Sequence, residues 1–251
     1  MGLLRKGHSG PAIAELQNIL RELDYDIAVT GIFDTPTYNA VRNFQSRHLD
    51  KHNLPLEVDG KVGDLTFWAL THPRSKVITG VIDFGKMPAT GAGGSPTGRA
   101  ALRAAIDELN AGAGEEGGNN MGRWVRKYLQ PAGLPEGNSW CAGFVSWCYL
   151  QAVAGEQRNM PFRYSAGARN IFNQLKQKSF VYDASADPPC AGDIVTWWRV
   201  STTSGFGHIG IVHHFSDGFL YTIEGNKAAN VAGFSYVKSR MNKLLGYARI
   251  P

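Results

Sequence analysis

An internal repeat in the first part of the sequence strongly constrains its fold. The chain reads Gly-Ile-Phe-Asp-Thr-Pro-Thr-Tyr-Asn-Ala-Val from Gly31 and Gly-Lys-Val-Gly-Asp-Leu-Thr-Phe-Trp-Ala-Leu from Gly60. In each copy the glycine permits a tight turn, and Thr35 or Asp64 stands where a helix N-cap is expected. Pro36 suits the first position of a helix. Each copy therefore predicts the start of a helix.

A third helix is predicted before the two copies, because apolar residues recur there at helical spacing. The residues of this stripe are Ile13, Leu16, Ile19, Leu20 and Leu23. Val41 and Phe44 continue the same pattern after the first copy. Residues 1–72 are thus predicted to form a small three-helix bundle. We expect His8, Asp59 and Trp68 to serve its turns and core, and we assign no ligand-binding residue within it.

The length and composition of the chain favour two packed cores. The sequence has 251 residues, of which 43% are hydrophobic and 19% charged, and this is more than one average domain needs. No apolar run is long enough for a membrane helix, and the N-terminus becomes polar within a few residues. We therefore expect synthesis in the cytoplasm without a signal peptide.

The charge of the chain suggests an acidic polymer as its partner. The formal net charge is +5, which fits the anionic bacterial cell wall, an anionic surface or a nucleic acid. The basic residues form no long run, so nucleic acid is disfavoured. We expect a monomer that does not insert into membranes.

The second part of the chain predicts an α+β domain. Residues 88–98 have the composition of a flexible linker, and residues 77–84 are a candidate short strand or ordered arm. Apolar spacing then predicts helices over 101–109 and 124–129. Strands are predicted at Asp193–Trp198, His208–His214, Leu220–Glu224 and Gly246–Ile250. We divide the chain into domain 1–72, linker 73–96 and domain 97–251.

Cys141 is the candidate nucleophile. Three cysteines without C-x-x-C spacing favour neither a disulfide framework nor a structural zinc site. Cys141 follows a turn-forming Glu-Gly-Asn-Ser segment and begins an apolar helix, with Ser139 or Asn138 as the expected cap. The helix N-terminus there should favour a thiolate. Cys148 is predicted to be a core residue, and Cys190 to pack in a loop or at a strand edge.

A candidate base and its orienting group follow later in the chain. His208 begins a predicted strand after a flexible, glycine-containing loop. Glu224 and Asn226 stand two residues apart, so in an extended strand they share a face and either could orient the histidine. A glutamate that accepts a hydrogen bond from the imidazole fixes its tautomer and stabilises the imidazolium.

Both parts of the chain resemble known families. Residues 3–70 resemble the peptidoglycan-binding domain found beside wall-lytic enzymes, in their Leu-Gln-x-x-Leu stripe, the two glycine turns and the Phe-Gln pair at 44–45. The segments Trp-Cys-Ala-Gly-Phe-Val-Ser-Trp (140–147), Gly-Asp-Ile-Val (192–195), Gly-His-Ile-Gly-Ile-Val (207–212) and Ile-Glu-Gly-Asn (223–226) resemble the ordered signature of CHAP amidohydrolases. These are papain-like cysteine enzymes related to NlpC-type peptidases, in which helices pack on an antiparallel sheet.

The CHAP resemblance implies a role for each residue of the set. Cys141 would be the nucleophile, His208 the base, Glu224 the orienting acid and Asn226 a polar helper near the histidine. The segment 135–138 lacks the Asp-rich calcium loop of some members, so we expect no metal and no cofactor. His213 and His214 are adjacent and do not have the spacing of a zinc site.

The sequence thus predicts an endolysin-like peptidoglycan hydrolase that acts on the cell wall. It would cut an amide bond of the peptide moiety, as an endopeptidase or an N-acetylmuramoyl-L-alanine amidase. Two alternatives stay open: a cysteine acyltransferase acting on wall peptides, and a non-catalytic wall-binding protein. The source, whether a phage lysin or a secreted effector, is not fixed by the residues.

Overall fold

A computed structural model describes residues 2–251 except 24, 26, 49, 52–55, 58, 73–80, 83, 200, 228 and 242. The chain divides into two compact units, Met1–Thr79 and Gly80–Pro251. The predicted boundary at 72/73 adjoins residues 73–80, which lie outside the described part. Among the described residues, none of the helices combines the length and the apolar character needed to cross a bilayer.

The N-terminal unit contains the three predicted helices: α1 Pro11–Glu22, α2 Thr35–Arg47 and α3 Asp64–Thr71. They enclose a core that includes the predicted stripe, with Ile13, Leu16 and Leu20 buried. The predicted caps are wrong by one residue. Asp34 caps α2 by accepting from the Thr37 backbone N–H, and α3 begins at Asp64 itself after Gly63. The cap is the residue that still has extended backbone, and Thr35 is already helical.

Two buried glutamines form hydrogen bonds that stabilise the two repeated turns of this bundle. The Gln17 side chain accepts from the backbone N–H of Gly31 (2.8 Å) and donates to the Thr37 hydroxyl (2.9 Å). In the second copy the Gln45 side chain accepts from the N–H of Gly60 (2.8 Å), and it donates to the hydroxyl of the matching threonine, Thr66 (3.2 Å). The repeat therefore includes a glutamine that closes each glycine turn.

The three residues that were expected to serve the turns and the core have structural contacts. Asp59 accepts from the Gln45 amide (3.0 Å) and from the Lys61 N–H (2.9 Å). Trp68 packs against the core and stacks on His72, with ring centroids 4.7 Å apart. His8 accepts from Arg5 on the surface.

The segment predicted as a flexible linker is attached to the C-terminal unit. Strand β1 (Val81–Ile82) pairs with a strand near the end of the chain. The N–H of Gly91 donates to the carbonyl of His213 (2.9 Å), and a Cβ at Gly94 would stand 2.0 Å from the Ala191 carbonyl oxygen. The glycines here permit a close approach of two backbones, which composition alone does not distinguish from flexibility.

In its described residues, the C-terminal unit has four α-helices and a sheet that contains seven strands when β1 is included. The helices are α4 Pro96–Asn110, α5 Arg123–Leu129, α6 Cys141–Ala152 and α7 Ala168–Gln177. The remaining strands are β2 Val181–Tyr182, β3 Ile194–Trp198, β4 Gly207–Ser216, β5 Phe219–Glu224, β6 Ala232–Val237 and β7 Leu244–Ala248. The four predicted strands are confirmed, the last one shifted by two residues. Helix α7 and strands β2 and β6 were not predicted.

The sheet is antiparallel, in the order β1-β6-β5-β4-β3-β7-β2. Helix α6 packs on α4 and on β4, because its residues from Cys141 to Val145 are buried together with Ile209 and Ile211 of the sheet. The predicted α+β class, with a helical N-terminal domain and helices on an antiparallel sheet, is confirmed. This packing brings the start of α6 to the part of the sheet that carries His208.

Candidate active site

Cys141 is the first residue of α6 and is almost fully buried, with 6% of its surface exposed. The predicted caps are wrong: the cap residue is Trp140, and it makes no side-chain cap hydrogen bond. The Asn138 amide instead donates to the carbonyl of Pro135 (3.1 Å) within the preceding turn. The first N–H groups of a helix have no intrahelical acceptor. Those near Cys141 can therefore donate hydrogen bonds to a substrate oxygen that becomes negatively charged.

The thiol of Cys141 is more acidic than an ordinary cysteine. Burial raises its pKa, but the hydrogen bond with His208, the charges of His208 and Arg199, and the backbone N–H of Ala142 together bring the pKa below its usual value. The net direction favours the thiolate, which is the form that attacks carbonyl carbon. Cys148 shows the contrast, because burial raises the pKa of its thiol well above the ordinary value.

His208 lies on β4 with 5% of its surface exposed, and its two ring nitrogens have different surroundings. Nε2 is 2.7 Å from Oε2 of Glu224. Nδ1 is buried and makes no hydrogen bond of regular geometry with any described residue. Since Nε2 is engaged by the carboxylate, Nδ1 is the nitrogen available to the Cys141 thiol. In the absence of substrate such catalytic contacts are often long or misaligned.

Glu224 at the end of β5 is fully buried and holds four polar groups. The hydroxyls of Thr222 (2.5 Å) and Tyr236 (2.6 Å) donate to Oε1. Oε2 faces His208 and, at 3.5 Å, the ammonium of Lys227. Burial raises the pKa of Glu224, but Lys227, His208 and Thr222 outweigh it and hold the pKa at about 2. The residue is therefore a carboxylate at any physiological pH.

Asn226 contacts residues on the Cys141 side of the site, and its predicted role as a polar helper near His208 stays a prediction. With its amide oriented by its partners, its oxygen accepts from the Trp140 backbone N–H (2.7 Å), and its nitrogen donates to Asn120 (3.0 Å) and Glu115 (3.3 Å). The same-face argument assumed an extended strand. Strand β5 ends at Glu224, and Asn226 has a φ of +57°, so the chain turns before its side chain is placed.

Two glycines provide space for this arrangement. A Cβ at Gly210 would stand 2.6 Å from Cγ of Glu224, and one at Gly225 would stand 2.6 Å from the Trp140 indole. The sequence analysis missed Gly210 as well as Thr222, Lys227 and Tyr236. The alternation of β5 could have indicated Thr222, which shares a face with Glu224.

The other two cysteines and His213 are not among the contacts described for this arrangement. Cys148 is buried in the core as predicted, and the Cys190 thiol contacts the carbonyl of Pro188 at 3.6 Å. His213 is buried, which lowers its pKa to about 4. Within the part of the chain that the structure describes, no group of three or more His, Cys, Asp or Glu residues is arranged to hold a metal ion.

Comparisons with known proteins give limited structural similarity. No curated protein sequence matches the chain significantly. The crystal structure of a Burkholderia AP3 phage endolysin has 21% identity and a TM-score of 0.24, covering 48% of this chain and 40% of that one. The crystal structure of Ly7917 has 18% identity and a TM-score of 0.37, covering 60% and 62%. Its structure with the hydrolyzing product of MDP has 20% identity and a TM-score of 0.35, covering 60% and 63%. Each match spans less than two thirds of the other protein.

Two family models match separate parts of the chain. The peptidoglycan binding domain model matches residues 9–70, and the CHAP domain model matches residues 133–226. The second match contains Cys141, His208, Glu224 and Asn226. Both resemblances drawn from the sequence are confirmed: the chain carries a peptidoglycan-binding domain followed by a CHAP domain.

Proposed function

We propose that this chain is a peptidoglycan hydrolase that cleaves an amide bond in the peptide moiety of the cell wall, as an endopeptidase or an N-acetylmuramoyl-L-alanine amidase. The observation that carries the proposal is the buried Glu224–His208 pair, whose remaining ring nitrogen is available to an acidified thiol at a helix start. The peptidoglycan-binding domain on the same chain supports the wall as the substrate.

In the first half of the reaction the Cys141 thiolate attacks the carbonyl carbon of the scissile amide. The carbonyl oxygen becomes negative, and the free N–H groups at the start of α6 stabilise it. The carbon–nitrogen bond then breaks, and the leaving nitrogen takes the proton of the His208 imidazolium. An amine departs, and Cys141 holds the acyl group as a thioester.

In the second half, neutral His208 takes a proton from a water molecule as the water attacks the thioester. The carbon–sulfur bond breaks, a carboxylic acid leaves, and the thiolate–imidazolium pair is restored. Glu224 holds the ring in place throughout and stabilises the imidazolium when it forms. Asn226 acts from the other side, because it ties the residue before Cys141 to the loop that carries Glu115 and Asn120.

The proposal is tested by the products released from purified sacculi. We expect the wild-type protein, and not the Cys141→Ala variant, to release muropeptides that mass spectrometry identifies by one new amine and one new carboxylate end. In ¹⁸O-labelled water one label should enter the carboxylate. A new end on the lactoyl group indicates an amidase, and an end within the stem peptide indicates an endopeptidase. Transfer of the acyl group to an added amine without label would indicate an acyltransferase. Equal release by both proteins, or by neither, would contradict the proposal.

A further inference from the structure

We propose that Lys227 is a positioning residue of this site, which acts on His208 through the carboxylate that the two cations share. The inference rests on the proposed cysteine mechanism. Lys227 follows β5 by three residues, and its ammonium lies 3.5 Å from Oε2 of Glu224, the same oxygen that His208 contacts at 2.7 Å. One buried carboxylate oxygen therefore faces two basic groups.

The surroundings of Lys227 hold its ammonium inside the protein. Its side chain is only 13% exposed, and its Nζ lies 4.2 Å from the ring centroid of Phe234 and 4.5 Å from that of Tyr236. It also donates to the hydroxyl of Tyr236, which in turn donates to Glu224. Burial lowers the pKa of Lys227, and the charge of Glu224 opposes this effect. Aromatic faces and a carboxylate also attract a cation, so the surroundings favour the ammonium form.

The reaction cycle explains why one carboxylate would need two basic partners. In the proposed cycle His208 carries a positive charge before the Cys141 thiolate attacks the substrate. It loses that charge when the leaving amine takes its proton. A fully buried carboxylate without a cation is costly. Lys227 keeps Glu224 compensated during the step in which His208 is neutral, so the carboxylate remains ionised and in place to receive the next imidazolium.

The positive charge of Lys227 also repels the positive charge on His208. Removing Lys227 should therefore change the pH dependence of the reaction in a direction that can be measured. The charged and titratable groups around the pair are Cys141 at the start of α6, Arg199 after β3, Lys227 after β5 and Tyr236 on β6. Removing the ammonium removes a positive charge that lies 3.5 Å from the Glu224 oxygen that His208 contacts. The loss of a nearby positive charge favours the protonated state of the site, so the active pH range would move upward.

The test compares wild-type protein with Lys227→Met and Lys227→Arg. Two quantities are followed against pH: hydrolysis of a soluble muropeptide, and iodoacetamide alkylation of Cys141 quantified by mass spectrometry. For Lys227→Met we expect the acidic and basic limbs of the curve of hydrolysis rate against pH, and the pH at which alkylation of Cys141 begins, to move up by about one pH unit. Lys227→Arg should retain the wild-type limbs. Lys176→Met, on the exposed surface of α7, controls for the change in net charge.

A Lys227→Met protein with reduced activity at every pH but unmoved limbs would overturn the proposal, because a merely structural residue would behave in this way. Alkylation of Cys141 needs no substrate, so it tests the role of Lys227 separately from the proposed hydrolase activity. If the pH at which alkylation begins shifts in a protein that hydrolyses nothing, the role of Lys227 is supported and the hydrolase activity is rejected. If circular dichroism shows that Lys227→Met is unfolded, Lys227→Gln keeps a donor for the Tyr236 hydroxyl and should give the same shift. Shifted limbs in Lys227→Arg would also overturn the proposal.

Discussion

The two domains bury polar side chains in opposite ways. In the N-terminal bundle, the amides of Gln17 and Gln45 are neutral and each closes a turn with backbone and threonine partners. In the CHAP domain, Glu224 and His208 are buried as a hydrogen-bonded pair that can carry charge, and His208 keeps a ring nitrogen without a regular hydrogen bond.

This difference distinguishes buried polar groups that stabilise the fold from buried polar groups that can take part in a reaction. A buried amide with all of its partners stabilises the fold and has nothing left to offer a substrate. A buried ion pair that leaves one donor or acceptor unsatisfied adds little to stability, but it presents that atom in a fixed position. The predictions below change one side of this contrast at a time.

The largest expected effect is from Cys141→Ala, which removes the proposed nucleophile beside His208. Hydrolysis of sacculi should fall by at least about 10³-fold, measured as the release of soluble muropeptides. Cys148→Ala, on the same helix but in the core, is the matched control and should retain activity while it lowers the melting temperature. Equal loss in folded Cys148→Ala protein would reject Cys141 as the nucleophile.

Gly210→Ala tests whether the chemical set depends on fixed positions. The new methyl group would overlap Cγ of Glu224, so the Glu224 side chain or the strand that carries residue 210 must shift. A displacement of about 1 Å at a catalytic group costs about 10²-fold in rate, measured as kcat on a soluble muropeptide. Gly205→Ala lies in the loop before His208 with open space around its Cβ position, and it should leave kcat unchanged. Similar rates in both variants would show that the position of Glu224 is not critical.

Removal of residues 1–72 tests the proposed role of the N-terminal bundle as an anchor. A tethered binding domain raises the local concentration of the catalytic domain at an insoluble substrate, so lysis of whole sacculi should fall by roughly tenfold or more. Cleavage of a small soluble muropeptide should remain. If both rates fell equally in folded protein, the bundle would be part of the catalytic site and not an independent anchor.

The smallest effect on catalysis is expected from Gln17→Leu, which leaves the Gly31 N–H and the Thr37 hydroxyl without this partner. We expect the N-terminal domain to lose about 3 kcal/mol of unfolding free energy, measured by urea denaturation, with unchanged cleavage of a soluble muropeptide. Asn18→Leu, exposed on the same helix, is the control. An unchanged stability in Gln17→Leu would contradict the structural role of the buried amide.

The sequence was informative where the signal is local. Turn glycines and apolar spacing were sufficient for the three N-terminal helices. The ordered motifs named Cys141, His208 and Glu224, which the fold brings together, and their catalytic roles stay predictions. The N-cap predictions were wrong because the cap is the last residue with an extended backbone, and the sequence does not locate that residue to within one position. At α2 the cap is Asp34, and Thr35 is already helical.

The features that the sequence did not reveal depend on contacts between distant parts of the chain. Tyr236 reaches Glu224 only because β6 pairs with β5. Gly210 matters because the Glu224 side chain from the neighbouring strand occupies the space beside it. The contact between Asn226 and Trp140 was not predicted, because the left-handed backbone of Asn226 after β5 turns its side chain toward Trp140.

The position of Cys141 at the start of α6 also determines how the protein would respond to oxidants. An acidic thiol reacts readily with peroxide to form a sulfenic acid, and a nearby second cysteine normally traps this form as a reversible disulfide. Cys148 follows seven residues later on the same helix, about 10.5 Å along its axis, which is beyond the Cα separation that a disulfide spans. Cys148 therefore cannot trap an oxidised Cys141 as a disulfide while α6 is intact.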